Sequence, residues 1–253
     1  MFQKEINAVA DAAVKKRDLL EASKGKYIIA SVMAGVFVGF GMILTSIIGG
    51  TLPQKVYPIT KLINGAAFSV ALSLVVMAGA ELFTGNNFVM SIGALNKRVT
   101  WKECIKVWIF AYIGNYIGSL LLSFIVMKSN IINDSIRIFI ISAAENKMSM
   151  TITELFTRGI LCNLLVCLAV WCCTKMKSEA GKLIMIFWCI FTFVTCGFEH
   201  SVANMTILSL SLMIPHTAAV TVGGFIYNLL IVTLGNLVGG SICTGAVYWY
   251  ISS

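Results

Sequence analysis

Two glutamates stand where a carboxylate is least expected. Glu81, in Gly79-Ala80-Glu81-Leu82-Phe83-Thr84-Gly85-Asn86, is the only charged residue from Leu62 to Asn96. Glu199, in Gly197-Phe198-Glu199-His200-Ser201-Val202-Ala203-Asn204, is the only acidic or basic residue other than histidine from Leu183 to Ser253. A carboxylate in an apolar span marks a proton relay or a cation site. The structural alternative is that it accepts hydrogen bonds from backbone N–H groups freed where a helix breaks. Because the two glutamates share one motif, a shared architectural need is the stronger reading. His200 has Leu82 as its counterpart, which makes it the better candidate for chemistry. An imidazole with an ordinary pKa of about 6.5 can offer a hydrogen bond or a proton to an anion, and Thr84 supplies a hydroxyl in the matching break. The bland alternative for His200 is a buried neutral ring satisfied by a backbone carbonyl.

The elements that must position these groups are membrane helices. The chain has 253 residues, of which 58% are hydrophobic and 12% charged, with a mean hydropathy of +0.89. Uncharged stretches run from Tyr27 to Lys55, from Leu62 past Asn96, from Val107 to Met127, from Gly159 to Thr174 and from Leu183 onward. A span needs about 20 apolar residues, so the first four stretches give one crossing each and the last gives two, divided near Pro215. With the N-terminus inside, the inner segments hold thirteen Lys and Arg residues and the outer loops six, which predicts both termini in the cytoplasm.

The net charge of +8 is accordingly a topology signal. No basic stripe interleaved with aromatics points to nucleic acid. Residues 1–26 lack the apolar core of a cleavable signal and read as an amphipathic helix with Phe2, Ile6, Val9, Ala13 and Leu20 on one face. Such a helix either lies along the membrane surface or covers a pore mouth. The eight cysteines show no metal-ligand spacing and read as small apolar packing residues. No cofactor or metal is expected.

The motif Gly-x-Glu-x-x-x-x-Asn occurs at Gly79, Glu81 and Asn86 and again 118 positions on at Gly197, Glu199 and Asn204. Gly114-Asn115-Tyr116-Ile117-Gly118 likewise matches Gly235-Asn236-Leu237-Val238-Gly239, and Thr100-x-x-Glu103 matches Thr151-x-x-Glu154 as capping boxes. The chain therefore reads as a duplicated three-span unit, with repeats at 27–127 and 149–250. An odd number of spans forces the copies to be inverted, with sites between them near the midplane. The motif-bearing segments are long for one crossing, with 35 residues between Lys61 and Lys97 and 32 between Lys182 and Pro215. A broken helix is expected in each. Asn115 reads as interhelical glue, while Asn236 could be glue or a pore-lining donor.

With these residues set out, the sequence resembles the formate/nitrite transporter family from about Val14 to Tyr250. The resemblance rests on AGAELFTGN around Thr84, CNLLVCLAVW from Cys162, GFEHSVANM around His200, and GNLVGG followed by Tyr248-Trp249. It implies an aquaporin-like homopentamer in the cell (inner) membrane, with one pore in each subunit. It places Thr84 and His200 across a vestibule with Asn163 and Asn236 as further polar contacts. Constrictions would form at Leu72 and Leu82 toward the cytoplasm and at Phe68 and Phe193 toward the outside, with Lys147 near the path. The implied cargo is a small monovalent weak-acid anion such as formate, nitrite or hydrosulfide. The run Leu165-Val166-Cys167-Leu168-Ala169-Val170-Trp171 prompts the hydrosulfide branch. His200 would lend a proton so that the neutral acid crosses the dry constriction.

Rival classes fit less well. A membrane enzyme would need metal-ligand pairs or an acid orienting a Ser201 and His200 pair, and a receptor role leaves the paired breaks unexplained. A proton-coupled transporter would use the same residues as a passive channel.

Overall fold

The computed structural model describes residues 1–53 and 56–252, without the side chain of Tyr57. Lys55, counted above among the outer basic residues, and Ser253 lie outside the described residues. The fold is all-helical among the described residues: α1 (Gln3–Ala22), α2 (Lys24–Thr51), α3 (Tyr57–Ala78), α4 (Phe83–Leu95), α5 (Trp101–Lys128), α6 (Asp134–Ser149), α7 (Ile152–Lys175), α8 (Glu179–Thr195), α9 (Ser201–Met213) and α10 (Val222–Val238). α10 continues through a π-helical stretch, Gly239–Ala246, into α11 (Val247–Tyr250).

Five helices are long and apolar enough to cross a membrane, Val222–Tyr250 counting as one of them. α9, at 13 residues, is apolar and short. α4 and α9 are enclosed on every side: each residue from Phe83 to Gly93 and from Ser201 to Ser211 is buried, polar side chains included. The long helices form the wall around them. On its outer face, α5 exposes Trp101, Ile105, Ile109, Ile113, Ile117, Leu121 and Ile125, and α10 exposes Val222, Ile226, Leu230 and Leu234. Residues four apart line one side of a helix. Apolar ridges this long suit hydrocarbon and would be unstable in water.

Two of the sequence boundaries shift. α1 ends at Ala22 rather than at residue 26, because the Ser23 hydroxyl accepts the Lys26 N–H at 3.3 Å and starts α2. Its apolar face, Ile6, Val9, Ala10, Ala13 and Leu20, is buried against α2, α4, α5 and α7 instead of lying on a lipid surface. α6 occupies the gap left between the two repeats. Both capping boxes form: Thr100 with Glu103, and Thr151 with Glu154.

α2 crosses α5, and α7 crosses α10, at glycines. A Cβ on Gly118 would lie 2.0 Å from the Val32 carbonyl oxygen, and one on Gly35 would lie 2.1 Å from that of Asn115. In the second repeat, a Cβ on Gly235 would lie 2.3 Å from the Phe156 oxygen. Backbone cannot yield as a side chain does, so Gly118→Ala is expected to force α2 and α5 apart. A folded, detergent-stable Gly118→Ala protein with an unchanged melting temperature would refute this account of the crossing.

Candidate functional site

α3 and α8 both end at a glycine with positive φ, 78° at Gly79 and 74° at Gly197. A Cβ at either would meet nothing within 4 Å, so the dihedral selects glycine and crowding does not. The turns close when Ala80 N–H donates to Val75 O and Phe198 N–H to Phe193 O, each at 3.0 Å. The chain then runs extended through Leu82 and His200 before α4 and α9 begin.

Asparagines from the long helices cap the new starts. Asn115 Oδ1 accepts Phe83 N–H at 2.9 Å, and its Nδ2 donates to Ser31 O at 2.7 Å and Glu81 O at 2.9 Å. Asn236 repeats the arrangement, accepting Ser201 N–H at 2.9 Å and donating to Gly159 O at 2.8 Å and Glu199 O at 2.9 Å. Both of its donors and its oxygen are engaged, so the Asn236 amide acts as glue between helices.

Glu81 and Glu199 differ from the expectation that they cap the breaks. The first N–H of each short helix goes to an asparagine and the Ala203 N–H to His200, while each carboxylate points into a cavity and meets a lysine. Glu81 accepts Lys16 Nζ at 2.8 Å on each oxygen, Tyr27 OH at 3.1 Å and Asn86 Nδ2 at 3.0 Å. Glu199 accepts Lys147 Nζ at 2.7 and 2.9 Å and Asn204 Nδ2 at 2.7 Å. The lysines come from α1 and α6, helices outside the repeated set. Lys147, expected as a positive charge near the path, is therefore ion-paired.

The two short helices meet at their N-termini. His200 Nδ1 accepts the Ala203 N–H at 3.1 Å. A backbone N–H can only donate, so the proton of the neutral ring sits on Nε2. Nε2 lies 3.0 Å from Thr84 Oγ1 and donates to it. Asn163 Nδ2 lies within reach of three acceptors, Thr84 O at 3.2 Å, Asn87 Oδ1 at 3.1 Å and Asn236 O at 2.7 Å.

A cavity lies on either side of this contact. On the α6 side, about 210 Å³ is lined by Thr60, Lys61, Asn64, Phe68, Phe193 and the Lys147 and Glu199 pair, among others. On the α1 side, about 420 Å³ is lined by Lys16, Leu72, Glu81, Leu82 and Asn86, among others. Between them is a void of about 10 Å³ bordered by Phe68, Leu72, Leu82, Phe193 and His200, at the lower limit for one water molecule. The Phe68 and Phe193 rings meet edge to face with centroids 5.8 Å apart, and the Phe193 and His200 rings stack at 6.0 Å. The four expected constriction residues thus converge, Leu72 and Leu82 toward one cavity and Phe68 and Phe193 toward the other. Thr84, Asn163 and Asn236 are fully buried and line none of these three spaces.

Among the described residues, no group of three or more His, Cys, Asp and Glu side chains is arranged to hold a metal ion. The reading of the sequence missed Lys16, Tyr27 and Asn228 as partners. Asn86 and Asn204 were visible as the last member of the repeated motif, five residues after each glutamate.

Two interrupted helices meeting between opposed cavities are an arrangement that suits a channel or transporter. The family model described as "Formate/nitrite transporter" matches residues 3–250. The "Nitrite transporter NirC" of Salmonella typhimurium (strain LT2) is 36% identical over 259 residues, covering 99% of this chain and 92% of its own. A solved structure titled "FNT family ion channel" aligns at a TM-score of 0.94 and 35% identity over the whole of both chains. A "Pentameric formate channel with formate bound" aligns at 0.81 and 31%, covering 92% of this chain and 98% of that one. The chain belongs to the formate/nitrite transporter family. It is a multi-pass membrane protein, and its relatives are channels and transporters rather than enzymes.

Proposed function

We propose that this protein is a channel for small monovalent anions of weak acids, nitrite and formate first among them, with hydrosulfide in the same chemical class. In this reading it is a homopentamer in the cell (inner) membrane with both termini cytoplasmic. Residues 27–253 form six spans in two inverted repeats, the second span being α3 with α4 and the fifth α8 with α9. The equivalence of the bonds made by Asn115 and Asn236 supports the inverted repeat.

The observation that carries the reading is the Thr84 to His200 contact between two cavities, at the N-termini of both short helices. Helix N-termini favour negative charge, while the apolar side chains between the cavities penalise a bare ion. A weak acid resolves the conflict by crossing the apolar segment as the neutral acid. With Nδ1 holding Ala203 N–H, a second proton on the ring would break the cap of α9. His200, which borders the void and the α6-side cavity, therefore works as a neutral ring whose Nε2–H rests on Thr84 until a permeant accepts it as a hydrogen bond. Asn163 and Asn236 hold this pair in place.

The test is flux into proteoliposomes, comparing nitrite, formate, hydrosulfide and chloride, with glycerol as a neutral control, from neutral to mildly acidic pH. Uptake of weak-acid anions that rises as pH falls, with chloride and glycerol excluded, is expected. Equal passage of chloride overturns the neutral-acid mechanism, and no anion flux overturns the channel reading. His200→Asn, which can still cap α9 but cannot reach Thr84, is expected to slow uptake about tenfold, the equivalent of one hydrogen bond. Unchanged uptake and pH dependence in that variant would remove His200 from the mechanism.

A further inference from the structure

The last helix departs from its counterpart. Gly239–Ala246 is π-helical, whereas the equivalent stretch of α5, Gly118 to Ile125, continues as a regular α-helix. π turns are rare, and when a fold keeps one it re-aims the residues around it. Here the wide turn brings Gly240 against α4 and α7. A Cβ on Gly240 would lie 2.5 Å from Asn163 Nδ2, 2.9 Å from Asn87 Cβ and 3.1 Å from Cys167 Sγ. The turn is itself tied down, with Ser241 Oγ donating to Asn87 O at 3.2 Å and the Thr244 hydroxyl to Gly239 O at 3.0 Å. Asn163 is the residue whose amide holds the Thr84 carbonyl at 3.2 Å.

We infer that Gly240 is a positioning residue for transport: the π turn seats a residue without a side chain against Asn163, so that Asn163 can clamp Thr84 in register with His200. Any side chain at this position would displace the Asn163 amide first, because that is its nearest neighbour. The first repeat has no such requirement, since Ser119 occupies the equivalent position. The inference rests on the reading that the Thr84 and His200 pair serves the permeant.

The experiment measures nitrite uptake and pentamer assembly for the wild type, Gly240→Ala, Gly245→Ala, Asn163→Ala and the Asn163→Ala, Gly240→Ala double variant. Gly240→Ala is expected to assemble and to transport about tenfold more slowly. Gly245→Ala, whose Cβ would meet Gly240 O at 3.2 Å and Ser91 Cβ at 3.4 Å, is expected to stay close to wild type. The double variant is expected to be no slower than Asn163→Ala alone, because both changes break the same clamp. Wild-type uptake by an assembled Gly240→Ala protein, or full additivity of the two changes, overturns the inference. If Gly240→Ala fails to assemble, recovery of assembly in the double variant supports the clamp and absence of recovery overturns it. A wild type without uptake refutes the transport reading itself, and the assembly comparison then tests the clamp alone.

Discussion

Asn236→Ala is expected to yield little folded protein, and Asn115→Ala is expected to do the same. The Asn236 side chain satisfies three backbone groups, Ser201 N–H and the carbonyls of Gly159 and Glu199, and is fully buried. Alanine leaves Ser201 N–H and Glu199 O without this partner where the start of α9 meets α7 and α10, while Gly159 O keeps its own bond within α7. Each buried, unsatisfied group costs about 1–3 kcal/mol. The sum is a large part of the roughly 5–15 kcal/mol that holds a typical protein folded. Asn236→Asp separates the two functions: it keeps an acceptor for Ser201 N–H but loses both donations and buries a charge, so it is expected to be no better than alanine. Size-exclusion profiles and melting curves in detergent read this directly. A variant that melts within a few degrees of wild type would show that water replaces the asparagine at the break, and that the caps are dispensable.

The asparagines also show where legibility in the sequence ends. The spans were visible because apolar length is a local property, and the breaks because glycine after a long apolar run marks a helix end whose dihedral excludes other residues. The paired motifs were visible because both keep the residues that make these local features. What each glutamate touches is a long-range matter. Lys16 is 65 positions from Glu81 and Lys147 is 52 from Glu199, and nothing near Lys16 distinguishes it from the other basic residues of α1. Assigning the caps to the glutamates followed from their chemistry. The first N–H of each short helix is met instead by Asn115 or Asn236, which arrive from other helices, and the carboxylates pair with lysines. Asn163 was reached only through resemblance, and the π stretch left no mark, since Gly239 and Gly240 read as ordinary close-packing glycines. Thr84 and His200 lie at the breaks, with several bonds that the sequence did not disclose.

Those bonds set the second large effect. Lys147→Ala is expected to destabilise the protein by about 3–5 kcal/mol, the range for removing one partner of a buried ion pair. The Glu199 side chain is only 4% exposed, and without Lys147 it keeps Asn204 Nδ2 as a donor but loses the charge that balances it. Lys16→Ala is expected to cost less, because Glu81 is 13% exposed and keeps Tyr27 and Asn86 as donors. Melting temperatures in detergent should therefore rank Lys147→Ala below Lys16→Ala. Adding Glu199→Gln to Lys147→Ala removes the stranded charge and should recover most of the loss. Equal instability of the single and double variants would show that the lysine matters for packing and not for charge. Transport separates the same variants in another way. As a pair, Lys147 and Glu199 contribute no net charge to the α6-side cavity. Lys147→Ala leaves that cavity more negative and should slow anion uptake, while Glu199→Gln leaves it more positive and should speed uptake at low ionic strength, with the gain fading as salt is added. Opposite signs in the two variants would identify the pair as an electrostatic balance at the cavity, whereas slowing in both would mean that it acts by fixing the end of α8 against α6.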